Sequence, residues 1–550
     1  MGNDKKFSLK RIERLRVRLA DYSRILGPAA GAALCSPRRG QKPVIFFNAS
    51  TRINDLSLNA GFSLVTSWAV RLAGVPVVHF VCSAGMSRCV LGADPDRPDA
   101  APPCKICVRQ SRFQTVGARA RFFSYHRDEA LAAALDGLSV EQLSAFECRL
   151  PEPLSTVHCT LDTEHLPLGA LVLPSMRWRL RLHNLQDDEA TRFLFREYLL
   201  SAWNVAREFS RLLDETDPQA VVLFNGQFFP EAVARFLARR RGVRVVTHEV
   251  GLQPFSAYFT EGEATAYPIA IPETFELDEA QNARLDAYLE NRFQGRFSMA
   301  GIQFWPEMKG LGEAFLKKAA GFRQVVPVFT NVIFDTSQPH SNVVFPDMFA
   351  WLDLALEAAK AHPETLFVLR AHPDEARPGK AARESVAGWV AKTGAAKLPN
   401  IVFVAADEFL SSYELIQRSK FVMIYNSTIG LEASIMGAPV LCAGKARFTQ
   451  YPAVFFPESV PAYREMLEQF LRAAEVKPRP EHLRNARRFL YYQLFRTSLP
   501  FGEFLEPSGQ RGYVRVRPGA LSRLRPDRSP AVRAVLEGIL HGGDFLLEEA

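Results

Sequence analysis

Two short polar stretches follow apolar runs, and both carry residue types that suit an anionic ligand. Arg370 and His372 come at the end of the run TLFVLRA, and Asn426, Ser427 and Thr428 come directly after the run FVMIY. In open α/β sheets, ligands bind beyond the carboxyl ends of the strands, next to the N-termini of helices. Guanidinium and imidazole groups are good donors to phosphate oxygens. The sequence therefore predicts a phosphate site at these two strand ends.

The segment after the second run predicts the start of a helix. Ser427 and Thr428 are of the types that cap helix N-termini, and the exposed N–H groups beyond such a cap favour an anion. Gly430 has no side chain to block close approach of a phosphate. Glu432 lies in the first turns, where its carboxylate is expected to accept hydrogen bonds from ribose hydroxyls. The alternative is that Ser427 and Thr428 only cap the helix.

Four cysteines form a separate constellation. Cys82, Cys89, Cys104 and Cys107 are separated by intervals of six, fourteen and two residues. A Cys-x-x-Cys pair with two further thiolates is able to complete a tetrahedral structural zinc site. Zinc ribbons usually contain two close pairs, and the first interval is too wide for one. The pattern leaves two interpretations open, a structural zinc ion or thiols without a metal.

Two series of alternating strands and helices are expected to position these residues. The first series contains the strand-like runs PVIFF, VPVVHFV, AVVLF and VRVVTHE, and the second contains VVPVFT, TLFVLRA, NIVFVA, FVMIY and APVLC. Alternation at this spacing predicts parallel sheets covered by helices on both faces. We therefore predict an α/β fold of two facing Rossmann-like domains, followed by C-terminal helices.

Changes in the pattern of strands and helices along the sequence give the expected domain boundaries. An N-terminal basic amphipathic segment covers residues 1–42, and the N-terminal Rossmann-like domain covers 43–270. An interdomain connection over 271–320 leads to the C-terminal Rossmann-like domain, 321–460. Helices and a basic tail make up 461–550.

The composition restricts the class of protein. A chain of 550 residues is too long for one hydrophobic core, and its 47% hydrophobic and 23% charged content is that of a globular protein. The net charge of +8 suits anionic small molecules or an anionic membrane face, and is too diffuse to indicate nucleic acid. We find no signal peptide, no long uninterrupted apolar run and no secreted disulfide pattern. The sequence predicts a cytoplasmic protein.

The two ends of the chain are basic. Residues 5–26 have the pattern of an amphipathic helix that ends at Gly27 and Pro28, and the tail contains the run RGYVRVRPGALSRLRPDR. Packing of the helix on the body of the protein is one interpretation, and adsorption to an anionic inner-membrane face is the other. A peripheral membrane location therefore stays open.

Four longer stretches carry a family resemblance, which covers roughly residues 170–460. They are VVLFNGQFFPEAVARFLARRRGVRVVTHEVG, VFTNVIFD, LFVLRAHPDEAR and SSYELIQRSKFVMIYNSTIGLEASIMGAPVL. These stretches resemble the bacterial capsule polysaccharide biosynthesis glycosyltransferases, a group that includes Kdo transferases and is similar in style to the bacterial sialyltransferases. The resemblance implies the two-domain glycosyltransferase B fold, with a nucleotide-sugar donor held by the C-terminal domain.

The resemblance also implies roles for particular residues. His372 would contact the donor phosphate, with Ser427 and Thr428 at the same group. Thr330 and Asn331, which end another strand of the second series, would touch the nucleotide. Arg370, Tyr425, Asn426, Gly430 and Glu432 complete the expected nucleotide-sugar site. The donor is expected to be a CMP-, UDP- or GDP-sugar, and no obligatory catalytic metal is predicted.

The residues that bind and activate the sugar acceptor are expected in the first series of strands. Glu249 ends the run VRVVTHE, where a carboxylate is suited to remove a proton from an acceptor hydroxyl. Asn225 and Gly226 follow AVVLF and are expected to shape the acceptor pocket. Bacterial polysialyltransferases carry two acidic residues before a glycine, whereas this chain has His248 before Glu249. A structural carboxylate bound to backbone N–H groups is the alternative for Glu249.

The expected chemistry follows from charge. Cleavage of the bond between an anomeric carbon and a phosphate leaves a developing negative charge, which Arg370, His372 and the helix N-terminus at Ser427 to Gly430 would stabilise. We therefore predict transfer of a sugar to a glycan or glycolipid acceptor in surface polysaccharide assembly. A nucleotide-sugar 2-epimerase is the nearer rival, and a non-catalytic glycan-binding or assembly protein is the more distant one.

Overall fold

The computed structural model describes residues 22–35, 37–49, 56–94, 96–149, 165–294, 310–377, 379, 381–509 and 512–548. The chain divides into two compact units, each built around its own sheet and core. The first unit comprises residues 1–176, 186–265 and 495–550, and the second comprises 177–185 and 266–494.

The first unit contains a mixed sheet with a parallel centre. Its strand order among the described residues is β15-β9-β8-β7-β1-β3-β4. The strands are β1 (Val44–Asn48), β3 (Val77–Cys82), β4 (Arg119–Phe123), β7 (Ala220–Phe224), β8 (Arg244–Val250), β9 (Ser256–Thr260) and β15 (Leu499–Pro500). The five strands from β8 to β4 run parallel, and β9 and β15 add an antiparallel edge. The predicted α/β class is confirmed for this unit.

Helices and two small sheets complete the first unit. The small sheets contain β2 (Leu56–Ser57) with β16 (Leu505–Pro507) and β17 (Tyr513–Val516), and β5 (Cys148–Arg149) with β6 (His165–Leu166). The helices are Leu58–Leu72, Cys104–Gln114, Glu129–Leu135, Val140–Ser144, Glu189–Thr216, Phe229–Arg240, Ala520–Arg523 and Pro530–His541. The helix Leu168–Leu180 begins in this unit and ends in the second one.

The second unit contains a fully parallel sheet with the order β12-β11-β10-β13-β14 among the described residues. Its strands are β10 (Gln324–Phe329), β11 (Thr365–Arg370), β12 (Ile401–Val404), β13 (Val422–Ile424) and β14 (Val440–Cys442). All five lie on runs that the sequence predicts as strands, because strands buried on both faces are nearly continuous apolar runs. Two parallel-centred sheets with alternating helices confirm the Rossmann-like architecture.

The helices of the second unit lie between and after these strands. Their bounds are Glu279–Phe293, Glu313–Ala319, Gln338–Ser341, Met348–Ala361, Val386–Thr393, Ser412–Gln417, Ile429–Ile435, Val460–Arg472 and Pro480–Tyr491. A one-turn 3₁₀ helix, Pro373–Ala376, follows β11, and a π-helical turn, Tyr492–Arg496, follows the last of these helices.

Each unit has an apolar core that fixes its sheet. In the second unit, Trp351 is fully buried and donates its indole N–H to the hydroxyl of Tyr463 at 2.8 Å. Burying a side chain of this size contributes about 1.5–3 kcal/mol or more, provided that its polar atom finds a partner. In the first unit, Trp68 and Phe62 of the helix Leu58–Leu72 are buried in the core.

The compact units are not contiguous in sequence, unlike the predicted segments. Residues 495–550 return to the first unit, where β15 pairs with β9 and β17 pairs with β2. The run expected to be a basic tail therefore contains a strand. Such pairing between residues more than 240 positions apart leaves no local signal in the sequence.

The prediction that the N-terminal helix ends at Gly27 and Pro28 is wrong. Residues 22–33 are helical, and Ile25, Ala29 and Ala32 are buried in the core of the first unit. Burial of this apolar face outweighs the helix-breaking tendency of the Gly-Pro pair. The rest of the predicted helix lies outside the described residues. Among the helices in the described part of the chain, none is long and apolar enough to cross a membrane.

Candidate functional site

The register of the second sheet brings three strand ends level. Phe329, the last residue of β10, is opposite Arg370 of β11 on one side and Ile424 of β13 on the other. The segments that leave these strands therefore begin at the same edge of the sheet. This is the carboxyl edge, where parallel α/β sheets bind their ligands.

Two asparagines link the ends of β10 and β13. Asn331 donates from Nδ2 to Oδ1 of Asn426 at 2.5 Å, and Asn426 donates from its own Nδ2 to Oγ of Ser341 at 2.6 Å. Thr330 is buried, and its hydroxyl donates to the backbone carbonyl of Arg370 at 2.9 Å. Asn331 and Asn426 thus belong to one polar network, whereas the Thr330 hydroxyl is used to hold β10 to β11. Ser341 is a member that the sequence analysis missed.

Arg370 is a buried cation at this edge. Only 6% of the residue is exposed, and its Nη1 lies 3.5 Å from the backbone carbonyl of Glu408. Burial lowers the pKa of the Arg370 guanidinium to about 10, which still leaves it charged at neutral pH. A desolvated guanidinium interacts strongly with an anion that replaces its lost hydration.

His372 caps the short 3₁₀ helix that follows β11. Its Nδ1 accepts a hydrogen bond from the backbone N–H of Asp374 at 3.1 Å, so the neutral ring carries its proton on Nε2. Burial lowers the pKa of His372, and the carboxylates of Asp374 and Asp335 oppose that shift. The half-buried neutral imidazole therefore carries its one N–H group at Nε2.

The segment after β13 differs in part from the sequence expectation. Thr428 is the N-cap of the helix Ile429–Ile435, but its side chain forms no capping hydrogen bond. Ser427 is 9% exposed. A Cβ atom at Gly430 would lie 2.2 Å from Cδ1 of Ile424. The glycine is therefore required for close packing of the helix on β13, which is a different reason from access of a phosphate.

Glu432 is held by the protein on both carboxylate oxygens. Oε1 accepts from Arg292 at 2.6 and 2.8 Å, and Oε2 accepts from the hydroxyl of Tyr413 at 2.6 Å. The Glu432 carboxylate is the principal factor that raises the pKa of Arg292 above its ordinary value, against burial, which lowers it. Both partners are buried, so this is a structural ion pair. The expected ribose contact of Glu432 does not fit this arrangement.

Tyr425 is a buried residue of the second unit. Its ring is fully buried near Trp351, and its hydroxyl donates to Oδ1 of Asn342 at 2.6 Å. Burial raises the pKa of the Tyr425 hydroxyl. The side chain belongs to the core of the second unit, and only its backbone reaches the strand end.

Arg181 is a further cation of the second unit that the sequence analysis missed. Its guanidinium stacks over the rings of Trp178 at 4.3 Å and Phe334 at 4.9 Å. Burial lowers the pKa of Arg181 to about 10, and the charge of Asp335 raises it. The backbone of Arg181 has φ of 60°, in the left-handed region, which no local sequence signal announces.

The carboxyl edge of the first sheet carries a carboxylate held by amides. Glu249 in β8 accepts hydrogen bonds from Nδ2 of Asn59 at 3.1 Å, from Nδ2 of Asn225 at 3.4 Å and from the N–H of Val250 at 2.8 Å. Asn225 and Gly226 form a left-handed turn after β7, with φ of 28° and 80°. The predicted base and acceptor residues Glu249 and Asn225 are therefore in contact. Asn59, in the first turn of its helix, is the residue that the sequence analysis missed.

Two buried histidines lie in the same unit. His248 precedes Glu249 and packs among Phe62, Phe224 and Phe259. Within the part of the chain that the structure describes, its Nδ1 has no hydrogen-bond partner. Burial lowers the pKa of His248 to about 3. His79 has a pKa lowered to about 3 for the same main cause. Both rings are neutral at physiological pH.

The four predicted metal ligands lie together without forming a single-ion site. Cys82, Cys89, Cys104 and Cys107 all line one cavity of the first unit. Within the described residues, however, no group of three or more His, Cys, Asp or Glu side chains is placed to hold a metal ion. None of the seven cysteines described by the structure forms a disulfide. The predicted structural zinc ion therefore does not fit the arrangement of these thiols.

Comparison with known proteins gives a match over the second sheet. Residues 325–451 match the family model described as capsule polysaccharide biosynthesis protein. The predicted family resemblance is confirmed. The matched range begins in β10 and includes every predicted nucleotide-sugar residue of the second unit.

Individual relatives are more distant. Protein FixF of Sinorhizobium fredii (strain NBRC 101917 / NGR234) is 26% identical over 307 residues, which are 53% of this chain and 64% of that protein. The chain thus spans somewhat less than two thirds of the curated relative that it matches.

Solved structures give only distant matches. The beta Kdo 2,7 transferase of Thermosulfurimonas dismutans KpsC is 15% identical, with a TM-score of 0.31, over 58% of this chain and 87% of that one. UDP-GlcNAc 2-epimerase from Neisseria meningitidis bound to UDP-GlcNAc is 12% identical, with a TM-score of 0.22, over 82% and 99%. Scores this low carry no argument about activity.

Proposed function

We propose that the protein is a glycosyltransferase that transfers a sugar from a nucleotide-sugar donor to a glycan or glycolipid acceptor in capsular or surface polysaccharide biosynthesis. The observation that carries the proposal is the convergence of Arg370, His372, Asn331 and Asn426 at one carboxyl edge of the second sheet. The match to capsule polysaccharide biosynthesis proteins covers the same residues.

The donor phosphate is assigned to Arg370 and His372. When the bond between the anomeric carbon and the phosphate breaks, negative charge develops on the leaving phosphate oxygen. Donors fixed before the reaction stabilise this charge more effectively than water does, because they need no reorganisation. Arg370 is held by burial between strands, and His372 is held by its hydrogen bond to Asp374. Ser427 and Thr428 would add hydroxyl or backbone donors to the same phosphate.

The amide network is assigned to the nucleotide. Asn331 and Asn426 hold each other in one orientation through the 2.5 Å hydrogen bond, and Ser341 fixes the second of them. Amide groups both donate and accept, which suits the hydroxyl groups of a ribose or the polar edge of a base. The nucleotide screen described below distinguishes CMP-, UDP- and GDP-sugars.

Proton removal from the acceptor is assigned to Glu249. The reaction needs a group that accepts a proton from the attacking hydroxyl, and a carboxylate with a fixed orientation is suited to it. Asn59 and Asn225 supply that fixed orientation through their amide N–H groups. Asn225 and Gly226 would form part of the acceptor pocket in the first unit.

A nucleotide screen tests the donor assignment. CMP, UDP, GDP and their sugar derivatives are added to the full chain, and the melting temperature is measured. A ligand that binds only the folded state raises the apparent stability, by about 2.7 kcal/mol at a hundred times its Kd. We expect one nucleotide class to raise the melting temperature of the wild type and to act much more weakly on Arg370→Gln. No response to any of these nucleotides would contradict the proposal.

Product analysis separates transfer from the two rivals. The stabilising nucleotide sugar is incubated with and without an acceptor, and products are identified by mass and by chromatography. A transferase releases the nucleotide in an acceptor-dependent manner. A 2-epimerase would convert the nucleotide sugar without an acceptor, and a non-catalytic assembly protein would leave it unchanged.

Association with an anionic inner-membrane face is part of the proposal. Arg24, Arg515 and Arg517 all lie within 4 Å of the carboxylate of Glu506, so part of the basic charge is neutralised internally. Vesicle flotation with and without anionic lipid tests whether the remaining basic charge binds a membrane. The wild type is compared with a variant in which Arg523 and Arg528 are changed to glutamine. Flotation of this variant equal to that of the wild type would count against a role of the tail.

A further inference from the structure

The cavity lined by four cysteines is a site that the proposed transfer reaction does not use. Cys82 is the last residue of β3, Cys89 lies in the following segment, and Cys104 and Cys107 are in the first turn of the helix Cys104–Gln114. The remaining lining is almost entirely apolar and includes Met86, Val90 and Pro230. Thiols from three parts of the chain thus line one largely apolar cavity.

The size of this space distinguishes two kinds of centre. Four sulfurs around one zinc ion lie about 3.8 Å from one another, since each Zn–S bond is about 2.3 Å long, and they leave no cavity. Here the cavity offers about 30 Å³ to the centres of water molecules, room for about two waters. The cavity that the four cysteines line therefore has more room than one ion fills, and among the described residues no three ligand side chains are placed around a single ion.

Backbone donors are already aimed at two of the sulfurs. The N–H of Gly85 donates to Sγ of Cys82 at 3.2 Å, and the N–H of Gly92 donates to Sγ of Cys89 at 3.2 Å. Both bonds run from the third residue after the cysteine, so the same local turn occurs twice. Hydrogen bonds to sulfur stabilise thiolate ligands and tune a bound metal centre.

Both glycines are required by the space around the site. A Cβ atom at Gly92 would lie 3.0 Å from Sγ of Cys89 and 2.8 Å from Pro102, and one at Gly85 would lie 2.2 Å from the ring of Phe123. A side chain at either position would displace the turn that presents its cysteine.

The third and fourth cysteines lie where a negative charge is favoured. The helix Cys104–Gln114 has eleven residues, no acidic residue in its first turn and no side-chain cap. Lys105, Arg109 and Arg112 give it a positive charge along its length. The exposed N–H groups and the dipole at its N-terminus stabilise anions. A metal centre bound by four thiolates carries a net negative charge and suits this position.

We propose that Cys82, Cys89, Cys104 and Cys107 bind an iron–sulfur cluster in the first unit. Four cysteine thiolates are the usual ligand set of such clusters, and each binds iron at a different position around a body of iron and sulfide that fills a cavity. Each thiol releases its proton to solvent when its sulfur binds iron, and no cysteine is oxidised. The cluster is independent of the proposed transferase activity.

The role that follows is structural. Among the described residues between Cys82 and Cys104, the structure contains no helix or strand. Stretches of this length without secondary structure are uncommon in compact domains unless something orders them. A cluster that joins β3, the segment 83–103 and the helix Cys104–Gln114 would close this segment as a covalent crosslink does.

Analysis of the wild-type chain, purified without oxygen and reconstituted with equal amounts of ferrous and ferric iron and with sulfide, tests the proposal. The mixed-valence state of an iron–sulfur cluster then forms without a further oxidant. We expect iron and acid-labile sulfide in equal amounts and the broad visible absorption of an iron–sulfur chromophore. A preparation that contains zinc in place of iron, or neither iron nor sulfide after reconstitution, would overturn it. This measurement needs no variant, so it decides even where a substitution prevents folding.

Matched cysteine variants locate the cluster. Cys89→Ser and Cys107→Ser should lose most of the iron and sulfide, whereas Cys148→Ser, a half-buried thiol elsewhere in the first unit, should retain both. Removal of iron by a chelator should also speed proteolytic cleavage within residues 83–103. Equal iron content in all three variants, or cleavage that does not respond to iron removal, would contradict the assignment.

Discussion

The carboxyl edges of the two sheets are built on the same strand geometry but carry different charges. In the second unit, the edge presents the guanidinium of Arg370 and the imidazole of His372. In the first unit, the edge presents the carboxylate of Glu249, held by Asn59 and Asn225. Parallel strands bring whatever follows them to one edge, whereas the residue types at that edge decide the chemistry.

This difference separates two tasks that a glycosyl transfer requires. A cationic edge stabilises a departing phosphate, and an oriented carboxylate removes a proton from an incoming hydroxyl. Neither edge is equipped for the task of the other, since Glu249 would repel a phosphate and Arg370 does not accept protons. The comparison therefore predicts that substitutions in the two units fail in different ways.

The largest effect is expected from Glu249→Gln. Glutamine keeps the size of Glu249 and one carbonyl acceptor, but it does not take up a proton. Because Asn59 and Asn225 donate to different oxygens of Glu249, the glutamine keeps one of these two hydrogen bonds. Loss of a general base costs about 10²–10⁴-fold, so we expect kcat to fall about 10³-fold with little change in nucleotide affinity. Steady-state kinetics measures both. Glu261→Gln, an exposed carboxylate of the same unit, is the control, and equal kcat in the two variants would remove Glu249 from the reaction.

A smaller effect is expected from Arg370→Gln. Removing one donor aimed at a developing charge costs about 10²–10³-fold, so we expect kcat/KM to fall about 10²-fold. Arg377→Gln is the matched control. Arg377 lies in the segment that follows β11, and its charge is already paired with Asp374 at 3.2 Å. If both arginine variants lose the same activity, the effect belongs to the loop and not to the phosphate.

The pH dependence of stability tests the buried histidine beside the proposed base. In the folded state the pKa of His248 is about 3, against about 6.5 in the unfolded chain. Below pH 6.5 the His248 imidazole therefore binds a proton in the unfolded state but stays neutral in the folded state. The free energy of unfolding falls by about 1.4 kcal/mol per pH unit from this residue, and the loss stops below pH 3.

Urea unfolding at pH 5.5 and 4.5 measures this slope, because the unfolded histidine is almost fully protonated in that range. His248→Phe should make the pH dependence shallower by about 1.4 kcal/mol per unit, because phenylalanine fits the aromatic surroundings and does not ionise. His126→Gln, a change at an exposed histidine of the same unit, is the matched control. Equal slopes in both variants would show that His248 is protonated in the folded state.

The strands of both sheets could be read from the sequence, and so could the positions of Arg370, His372 and Glu249 at or next to the ends of strands. Buried parallel strands are apolar runs, and polar residues directly after them mark the carboxyl edge, which is how Arg370, His372 and Glu249 were found. The side chain of Tyr425, the first residue after β13, is buried in the core, although its position in the sequence predicts a place in the site. The position of a side chain relative to the end of a strand cannot be read from polarity alone.

Long-range pairs account for what could not be predicted. Glu432 is bonded by Arg292, which is 140 positions earlier, and β15 pairs with a strand more than 240 positions away. Nothing in the local pattern of either partner identifies the other. The sequence also groups the four cysteines. The cavity that they line, which the sequence does not show, is what favours an iron–sulfur cluster over a single metal ion.

The central claim is that the carboxyl edge of the second sheet binds the donor phosphate. Two histidines that flank β11, one before it and one after it, test this claim most directly. His372 follows β11 at the carboxyl edge, whereas His362 precedes β11 at the opposite edge and contacts Glu364 and Glu468. Calorimetric titration of the stabilising nucleotide into His372→Ala and His362→Ala compares the two edges within one strand. We expect the Kd to rise at least about tenfold for His372→Ala, the loss of a hydrogen bond to a charged group, and to stay unchanged for His362→Ala. Wild-type affinity in His372→Ala would contradict the account.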